Sequence, residues 1–305
     1  MPRWPGPVLI IGGALLAIGA LIAGSLALNG QLAVDRSILA PLALIGVLAF
    51  VAGLVYSATR QIRVRSFLSP ERYRGPSVLI LLALVLVVAS VAQTPFGADA
   101  AALLFGDGEL TLLGATVILV STGLALLLVS WLFVHRPRAL AGLPSFPGQD
   151  PAGALRSGFG WGLLAWLGYA LMIVVVAWLL ERIGLEPEPE IAERAIALLD
   201  PWLVVGAVVF FGPVAEEIFF RGVVFNAWLR EAGRRWAFIG SSALFAVIHL
   251  SLVSLLPIFL LGLALAWAYQ RSGNLLAPIA MHATVNGISV ALALLVRFDV
   301  VRLPV

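Results

Sequence analysis

Long apolar segments constrain the fold of this chain more than any other feature of its sequence. Nine of them are apolar enough to form membrane-spanning helices, which need about 20 residues each. They are Val8–Leu28, Ile38–Ala58, Ser77–Phe96, Leu110–Phe133, Phe159–Leu180, Trp202–Phe220, Trp236–Leu252, Leu255–Tyr269 and Leu275–Val296. The seventh and eighth are short and are separated only by a weak break at Ser254 and Pro257, so eight spans is the alternative. The sequence therefore predicts an all-α, polytopic transmembrane helix bundle.

Composition favours the same class and excludes others. The 305 residues are 61% hydrophobic and 11% charged, whereas a soluble protein is about half apolar and a quarter charged. One water-soluble core of this size cannot bury so much apolar surface, so the lipid bilayer is the expected partner of most of the chain. The net charge of +3 does not indicate nucleic-acid binding, and the absence of cysteine excludes disulfides and cysteine-bound metals.

The distribution of arginine predicts the orientation in the membrane. The sequence has no lysine, and with a cytoplasmic N-terminus most arginines fall in cytoplasmic connections, as the positive-inside rule requires. Those connections contain Arg60, Arg63, Arg65, Arg72, Arg74, Arg136, Arg138, Arg156, Arg230, Arg234, Arg235 and Arg271, and the opposite side contains Arg36, Arg182, Arg194, Arg297 and Arg302. We therefore expect an integral membrane protein with a cytoplasmic N-terminus. A composition rich in alanine, leucine, valine, glycine and arginine suggests a bacterial plasma membrane.

A proline-rich segment divides the apolar spans into two groups. Residues 135–158 contain four prolines and lie on the predicted cytoplasmic side. The sequence therefore predicts an N-terminal four-helix membrane region at 1–134, a cytoplasmic linker loop at 135–158, a five-helix core at 159–296 and a tail at 297–305.

Ionisable residues within the spans are concentrated in the C-terminal group. The sixth span contains Glu216, Glu217 and Arg221, the seventh contains His249, and the ninth contains His282 with Asn286. Such residues are costly in a bilayer and are functional by default. Glu217 and Arg221 are four residues apart and should pair on one helix face.

Helix geometry predicts that these groups meet. Glu216 and His249 each lie roughly 20 Å from the cytoplasmic side at 1.5 Å per residue, and His282 and Asn286 lie at a similar depth. We therefore expect one polar cavity between the sixth, seventh and ninth spans. Because the glutamates lie nearer the cytoplasmic surface in this count, the cavity is expected to open toward the cytoplasm or the inner leaflet.

Three sequence motifs in the sixth, seventh and ninth spans resemble those of a known family. They are Glu216-Glu217-x-x-x-Arg221, Phe245-x-x-x-His249 and His282-x-x-x-Asn286. They resemble the CPBP family (CAAX protease and bacteriocin-processing, or Abi) of intramembrane proteases. The resemblance covers about residues 200–290 and leaves the first four spans outside it.

The resemblance implies peptide hydrolysis. By motif position, Glu216 and His249 would activate a water molecule, and His282 and Asn286 would donate hydrogen bonds to the oxyanion. Arg221 would hold the glutamate pair in place. The resemblance implies a membrane-associated peptide or protein as substrate.

Two questions stay open at this point. Glu216, His249 and His282 could instead hold a divalent metal such as Zn²⁺ with an open fourth position, so water activation and metal catalysis are both compatible with the residues. A non-catalytic bacteriocin-immunity or membrane binding protein of the same fold is an alternative function. A proton-coupled transporter is another, since buried carboxylates and histidines also form proton relays.

Overall fold

The structure is a computed structural model, and it describes residues 4–28, 36–94, 105–106, 109–140, 150–184, 196 and 200–301. Nine helices lie in these residues, and they confirm the predicted all-α bundle. They are α1 (Pro5–Leu28), α2 (Arg36–Arg65), α3 (Val78–Gln93), α4 (Leu112–His135), α5 (Pro151–Arg182), α6 (Pro201–Glu231), α7 (Arg234–Val247), α8 (Leu252–Ser272) and α9 (Leu276–Arg297). A two-residue antiparallel pair, β1 (Phe105–Gly106) with β2 (Glu109–Leu110), precedes α4.

Most helices are long enough to cross a membrane. Seven of those in the described residues qualify by length and apolar composition, and α3 and α7 are shorter, with 16 and 14 residues. Large apolar side chains point outward from the bundle, including Leu164, Leu171 and Val174 of α5 at 65–70% exposure. In a bilayer these side chains contact lipid, and the chain is an integral membrane protein.

Several predicted boundaries are wrong. The seventh helix was expected to reach Leu252 but ends at Val247, and the eighth begins at Leu252 instead of Leu255. The fifth begins at Pro151, where Asp150 caps the helix by accepting a hydrogen bond from the Gly153 amide. This helix therefore includes the last eight residues of the predicted linker. Residues 141–149 of that linker, and the predicted end of the third span at residue 96, lie outside the described residues.

Small residues bring α5 and α9 close together. A Cβ atom on Gly158 would lie 2.3 Å from the Ala277 carbonyl oxygen, and one on Gly162 would lie 2.6 Å from the Thr284 Cβ. Tight contacts at small residues are typical of membrane helices, which associate by close packing. Farther along the same interface the Trp166 indole donates to the Ser289 hydroxyl over 3.1 Å. This contact fixes the helix that carries His282 and Asn286.

The first helices and the C-terminal helices share one hydrophobic core. Leu54 of α2, Leu81 of α3 and Leu126 of α4 belong to the same buried cluster as Phe219 and Phe245. A Cβ on Gly123 of α4 would lie 2.3 Å from the Phe211 ring of α6. The helix bearing the glutamates is therefore packed directly against the predicted N-terminal region, and the division at residues 135–158 stays a prediction.

Candidate active site

A cavity of about 400 Å³ lies between α4, α5, α6, α8, α9 and the turn after α7. Glu216, His249, His282 and Asn286 all line it. The structure therefore brings together four of the six predicted site residues in one cavity. Glu217 and Arg221 do not line it and lie behind its wall.

Glu217 and Arg221 form a buried ion pair, as predicted. The Arg221 Nη1 atom donates to Glu217 Oε1 over 2.8 Å, and the two side chains are 1% and 0% exposed. The guanidinium also donates to the Gly262 carbonyl over 3.0 Å and lies 4.5 Å from the centroid of the Phe245 ring. A lone charge at this depth would be costly, so the pair and its extra contacts offset the desolvation of both groups.

Glu217 also holds His282. The His282 Nδ1 atom lies 3.0 Å from Glu217 Oε1, the same oxygen that accepts from Arg221. An ionised carboxylate can only accept, so Nδ1 carries a proton that it donates to Glu217. The other ring nitrogen, Nε2, is then directed to the cavity side and lies 3.9 Å from Glu216 Oε2. Glu217 thus orients the histidine next to Glu216.

His249 is oriented by the backbone. Its Nδ1 atom lies 2.7 Å from the Phe245 carbonyl oxygen, which can only accept, so Nδ1 is the protonated nitrogen. The lone pair of the neutral ring is therefore on Nε2. His249 lies in the turn after α7 and not inside a helix as predicted, because the chain leaves helical geometry there: Leu250 has φ of +54°. Edge contacts of the Phe245 ring with His249 and with His282 hold both imidazoles.

Glu216 is the carboxylate that faces the cavity. Its side chain is 24% exposed, while its Oε2 atom is buried and has no hydrogen-bond partner. Buried carboxylate oxygens normally have partners, so this one is available to a water molecule or a substrate group. Glu216 lies at the middle of the 31-residue α6, with 15 residues on either side.

Asn286 is tied to an irregular part of α6. Its Nδ2 atom donates to the Val208 carbonyl over 2.9 Å, and Val208 lies in the π-helical turns Val205–Phe211. Such turns release backbone carbonyls from the regular ladder and are frequent at functional sites. The second N–H of the Asn286 amide is not used by this bond, so it can donate to another acceptor.

A second π-helical stretch follows the glutamates at Ile218–Phe225. Asn226 supports it, because its amide lies 2.7 Å from the Arg221 carbonyl, 3.2 Å from the Gly222 carbonyl and 2.9 Å from the Tyr269 hydroxyl. Sequence reasoning missed Asn226. The available signal was a polar amide next to the apolar run Val223-Val224-Phe225, five residues after Arg221.

The fourth helix also contributes to the site, which the sequence did not indicate. Ile118, Leu119 and Thr122 of α4 line the same cavity as Glu216. The cavity was predicted to open toward the arginine-rich side, but its lining residues on α6 all lie on the other side of Glu216 or at Glu216 itself. The cavity extends from Glu216 toward the start of α6 and reaches Ile196, in the connection between α5 and α6.

The geometry of a metal site is not met. Within the described residues, no three histidine, aspartate or glutamate side chains are grouped closely enough to hold a metal ion. The set Glu216, His249 and His282 therefore does not fit a metal in this arrangement, although Nε2 of each histidine is the nitrogen left for a ligand.

The fold and the cavity define a polytopic helical membrane protein with a glutamate–histidine cluster inside the bundle. Residues 198–288 match the family model described as Type II CAAX prenyl endopeptidase Rce1-like. All three motifs lie in this range, so the resemblance predicted from them is confirmed over these residues. The match supports a CAAX-type membrane protease in general.

Two proteins are similar to this chain in sequence, and the name of one of them agrees with this class. A Bacillus subtilis (strain 168) protein named "Putative membrane peptidase YdiL" is 32% identical over 84 residues, which cover 28% of this chain and 34% of that protein. The chain therefore matches about a third of its length. An Escherichia coli protein named "Uncharacterized 24.3 kDa protein" is 29% identical over 198 residues, which cover 61% of this chain and 83% of that protein. No solved structure matches the chain.

Proposed function

We propose that this protein is an intramembrane endopeptidase that hydrolyses a membrane-associated peptide or protein. The observation that carries the proposal is the buried, unpartnered Oε2 atom of Glu216 in a cavity that also contains two histidines with fixed Nδ1 partners. A carboxylate in this setting suits a general base.

In the proposed reaction Glu216 accepts a proton from a water molecule, and the water oxygen bonds to the carbonyl carbon of the substrate. Nε2 of His249 accepts a hydrogen bond from the same water and so orients it. The tetrahedral intermediate then collapses, its C–N bond breaks, and the proton held by Glu216 passes to the leaving amine. Glu216 thereby returns to its carboxylate form, and the reaction consumes only the water molecule.

Asn286 and His282 are proposed to stabilise the oxyanion. The second N–H of Asn286 is a neutral donor for this oxygen, while its first N–H stays on the Val208 carbonyl. His282 donates from Nε2 only when its ring is protonated, because Nδ1 is already used by Glu217. Glu217 and Arg221 act as positioning residues, since neither lines the cavity.

The substrate class follows from where the cavity lies. Most of the side chains that line it are apolar, and the four polar site residues lie among them. An apolar segment of a membrane-associated peptide or protein fits this lining better than a soluble peptide does, because polar side chains there would lose their hydration.

A comparison of protein termini in membranes tests the proposal. Cells expressing the wild type, Glu216→Gln or the control Glu231→Gln are compared by mass spectrometry of newly formed N- and C-termini. Glu231 is on the same helix and forms a partly exposed pair with Arg65, so it controls for the loss of a carboxylate. We expect wild type and Glu231→Gln to share termini that Glu216→Gln lacks. Identical termini in all three would contradict an enzyme and favour a non-catalytic binding protein.

A further inference from the structure

The cavity lies mostly in one half of the helix bundle. We define the arginine-rich face as the one at which α2, α4, α6 and α8 end, and the opposite face as the one at which they begin. A 2.7 Å salt bridge between Arg65 and Glu231 joins the ends of α2 and α6 at the first face. At the second, Arg297 at the end of α9 donates to the Ile196 carbonyl over 2.7 Å.

The helices α5, α6, α7 and α8 line the cavity with residues at their middle or on the opposite-face side of it, whereas α4 and α9 also contribute residues from their arginine-rich halves, including Leu126 and His282. On α6 the lining residues are Ala207, Val208, Gly212 and Glu216, and on α9 they run from His282 to Val290. Glu216 and His282 are thus the residues of these two helices that lie deepest from the opposite face. The cavity continues past them to Ile196 at that face.

Aromatic side chains block the way to the arginine-rich face. Phe219 and Phe220 follow Glu216 by three and four residues and are fully buried. Phe220 makes edge contacts with Phe219 at 5.1 Å and with Phe245 at 5.2 Å between ring centroids. This closely packed layer leaves no lining residue on the arginine-rich side of Glu216 in α6.

The short α7 brings the opposite face close to His249. Its 14 residues extend about 21 Å, whereas the hydrocarbon core is about 30 Å thick. A helix that starts at the arginine-rich face therefore ends inside the membrane, and His249 lies in the turn there. Leu250 in this turn is 88% exposed. Water from the opposite face has the shorter path to the histidine.

The charges identify which face is which. Thirteen of the 19 arginines but only three of the 16 acidic residues belong to the N-terminus and the connections of the arginine-rich face. By their position in the sequence, five arginines and 11 acidic residues lie in or next to the segments that connect or follow helices on the opposite side. The positive-inside rule assigns the arginine-rich face to the cytoplasm.

We propose that the substrate reaches Glu216 from the non-cytoplasmic side of the membrane. The substrate class is then an exported or membrane-spanning protein whose apolar segment lies in the non-cytoplasmic leaflet, with the cleaved bond a few turns below the surface. The apolar wall formed by Ile118 and Leu119 of α4 contacts that segment. This inference rests on the proposed function for its substrate class, while the side of access is a property of the fold alone.

Single cysteines test the side of access, because the chain has no native cysteine. Ala207→Cys places a thiol in the cavity, Val300→Cys marks the opposite face, and Ser66→Cys marks the arginine-rich face. Each variant is treated with a membrane-impermeant maleimide in right-side-out and inside-out vesicles. We expect Ala207→Cys and Val300→Cys to be labelled in right-side-out vesicles and Ser66→Cys in inside-out vesicles.

Each other pattern overturns the inference. Labelling of Ala207→Cys from the same side as Ser66→Cys would place the opening on the arginine-rich face. Labelling of Val300→Cys only in inside-out vesicles would invert the topology. Labelling of Ala207→Cys by a permeant maleimide alone would show a cavity closed to both sides. These results do not depend on proteolysis, so a failure here is distinguishable from identical termini in the Glu216→Gln comparison.

Cleavage sites give an independent readout. If Glu216-dependent termini are found, we expect them to lie in the non-cytoplasmic half of membrane segments or just beyond them. Termini on the cytoplasmic side would overturn the inference and leave the proteolytic activity standing.

Discussion

Removing the Glu217 carboxylate should destabilise the fold far more than removing a matched carboxylate at the end of the same helix. Glu217→Gln leaves the Arg221 guanidinium as a buried charge without its ion-pair partner. Breaking a buried pair from one side costs about 3–5 kcal/mol. Glu231→Gln breaks the pair with Arg65, whose side chains are 26% and 30% exposed, and such pairs contribute about 0–1 kcal/mol.

A double variant separates a lost charge from lost packing. In Glu217→Gln with Arg221→Met neither buried charge is left alone, so we expect it to be more stable than Glu217→Gln by roughly 1–3 kcal/mol. Part of the loss stays, because the Gly262 carbonyl no longer has the Arg221 donor. A double variant that is more stable than Glu217→Gln alone requires the two side chains to interact directly.

Unfolding in mixed micelles measures both differences. The chain contains nine tryptophans, so their fluorescence follows an SDS titration of the purified protein. Equal losses for Glu217→Gln and Glu231→Gln would refute the buried pair. If the loss of stability in the double variant equals the sum of the losses in Glu217→Gln and in Arg221→Met alone, the two residues stabilise the protein independently.

Three further predictions concern packing, backbone support and metal dependence. Gly158→Val should lower stability by about 1–3 kcal/mol, because the new side chain meets the Ala277 carbonyl. Gly160 has open space around it, so Gly160→Val should not lower stability. Equal melting temperatures of the two variants in detergent would contradict this. Asn226→Leu should cost about 1–3 kcal/mol, because two carbonyls lose their donor, and SDS unfolding at the wild-type midpoint would argue against it. Extraction with a chelator should leave Glu216-dependent cleavage unchanged, because the described residues contain no group of three histidine, aspartate or glutamate side chains that could hold a metal. Loss of activity that only added Zn²⁺ restores would show that the site rearranges around a metal.

The features that follow from spacing along one helix could be predicted from the sequence. The pairing of Glu217 with Arg221 is an i, i+4 contact and depends only on helix geometry. The apolar segments likewise predicted the helices, because bilayer thickness sets their length. The meeting of Glu216, His249, His282 and Asn286 in one cavity followed from counting depth along neighbouring helices.

Features that depend on packing between distant helices could not be predicted. The wall formed by α4 requires the contact of Gly123 with Phe211, and nothing in the separate sequences of these helices specifies it. The direction of the cavity depends on how Phe219, Phe220 and Phe245 stack, which hydropathy does not report. The end of α7 depends on the left-handed backbone conformation of Leu250, and the apolar sequence around this residue predicts a helix that continues.

Cleavage by purified protein in water enriched in heavy oxygen tests the central claim most directly. The protein is reconstituted in liposomes together with detergent-extracted membrane proteins, and new C-termini are analysed by mass spectrometry. Wild type and Glu231→Gln should produce C-terminal carboxyl groups that contain one oxygen from the labelled water. Glu216→Gln should lower their rate of formation by roughly 10²–10⁴-fold, the usual contribution of a general base. Labelled termini that form at the wild-type rate with Glu216→Gln would contradict the account.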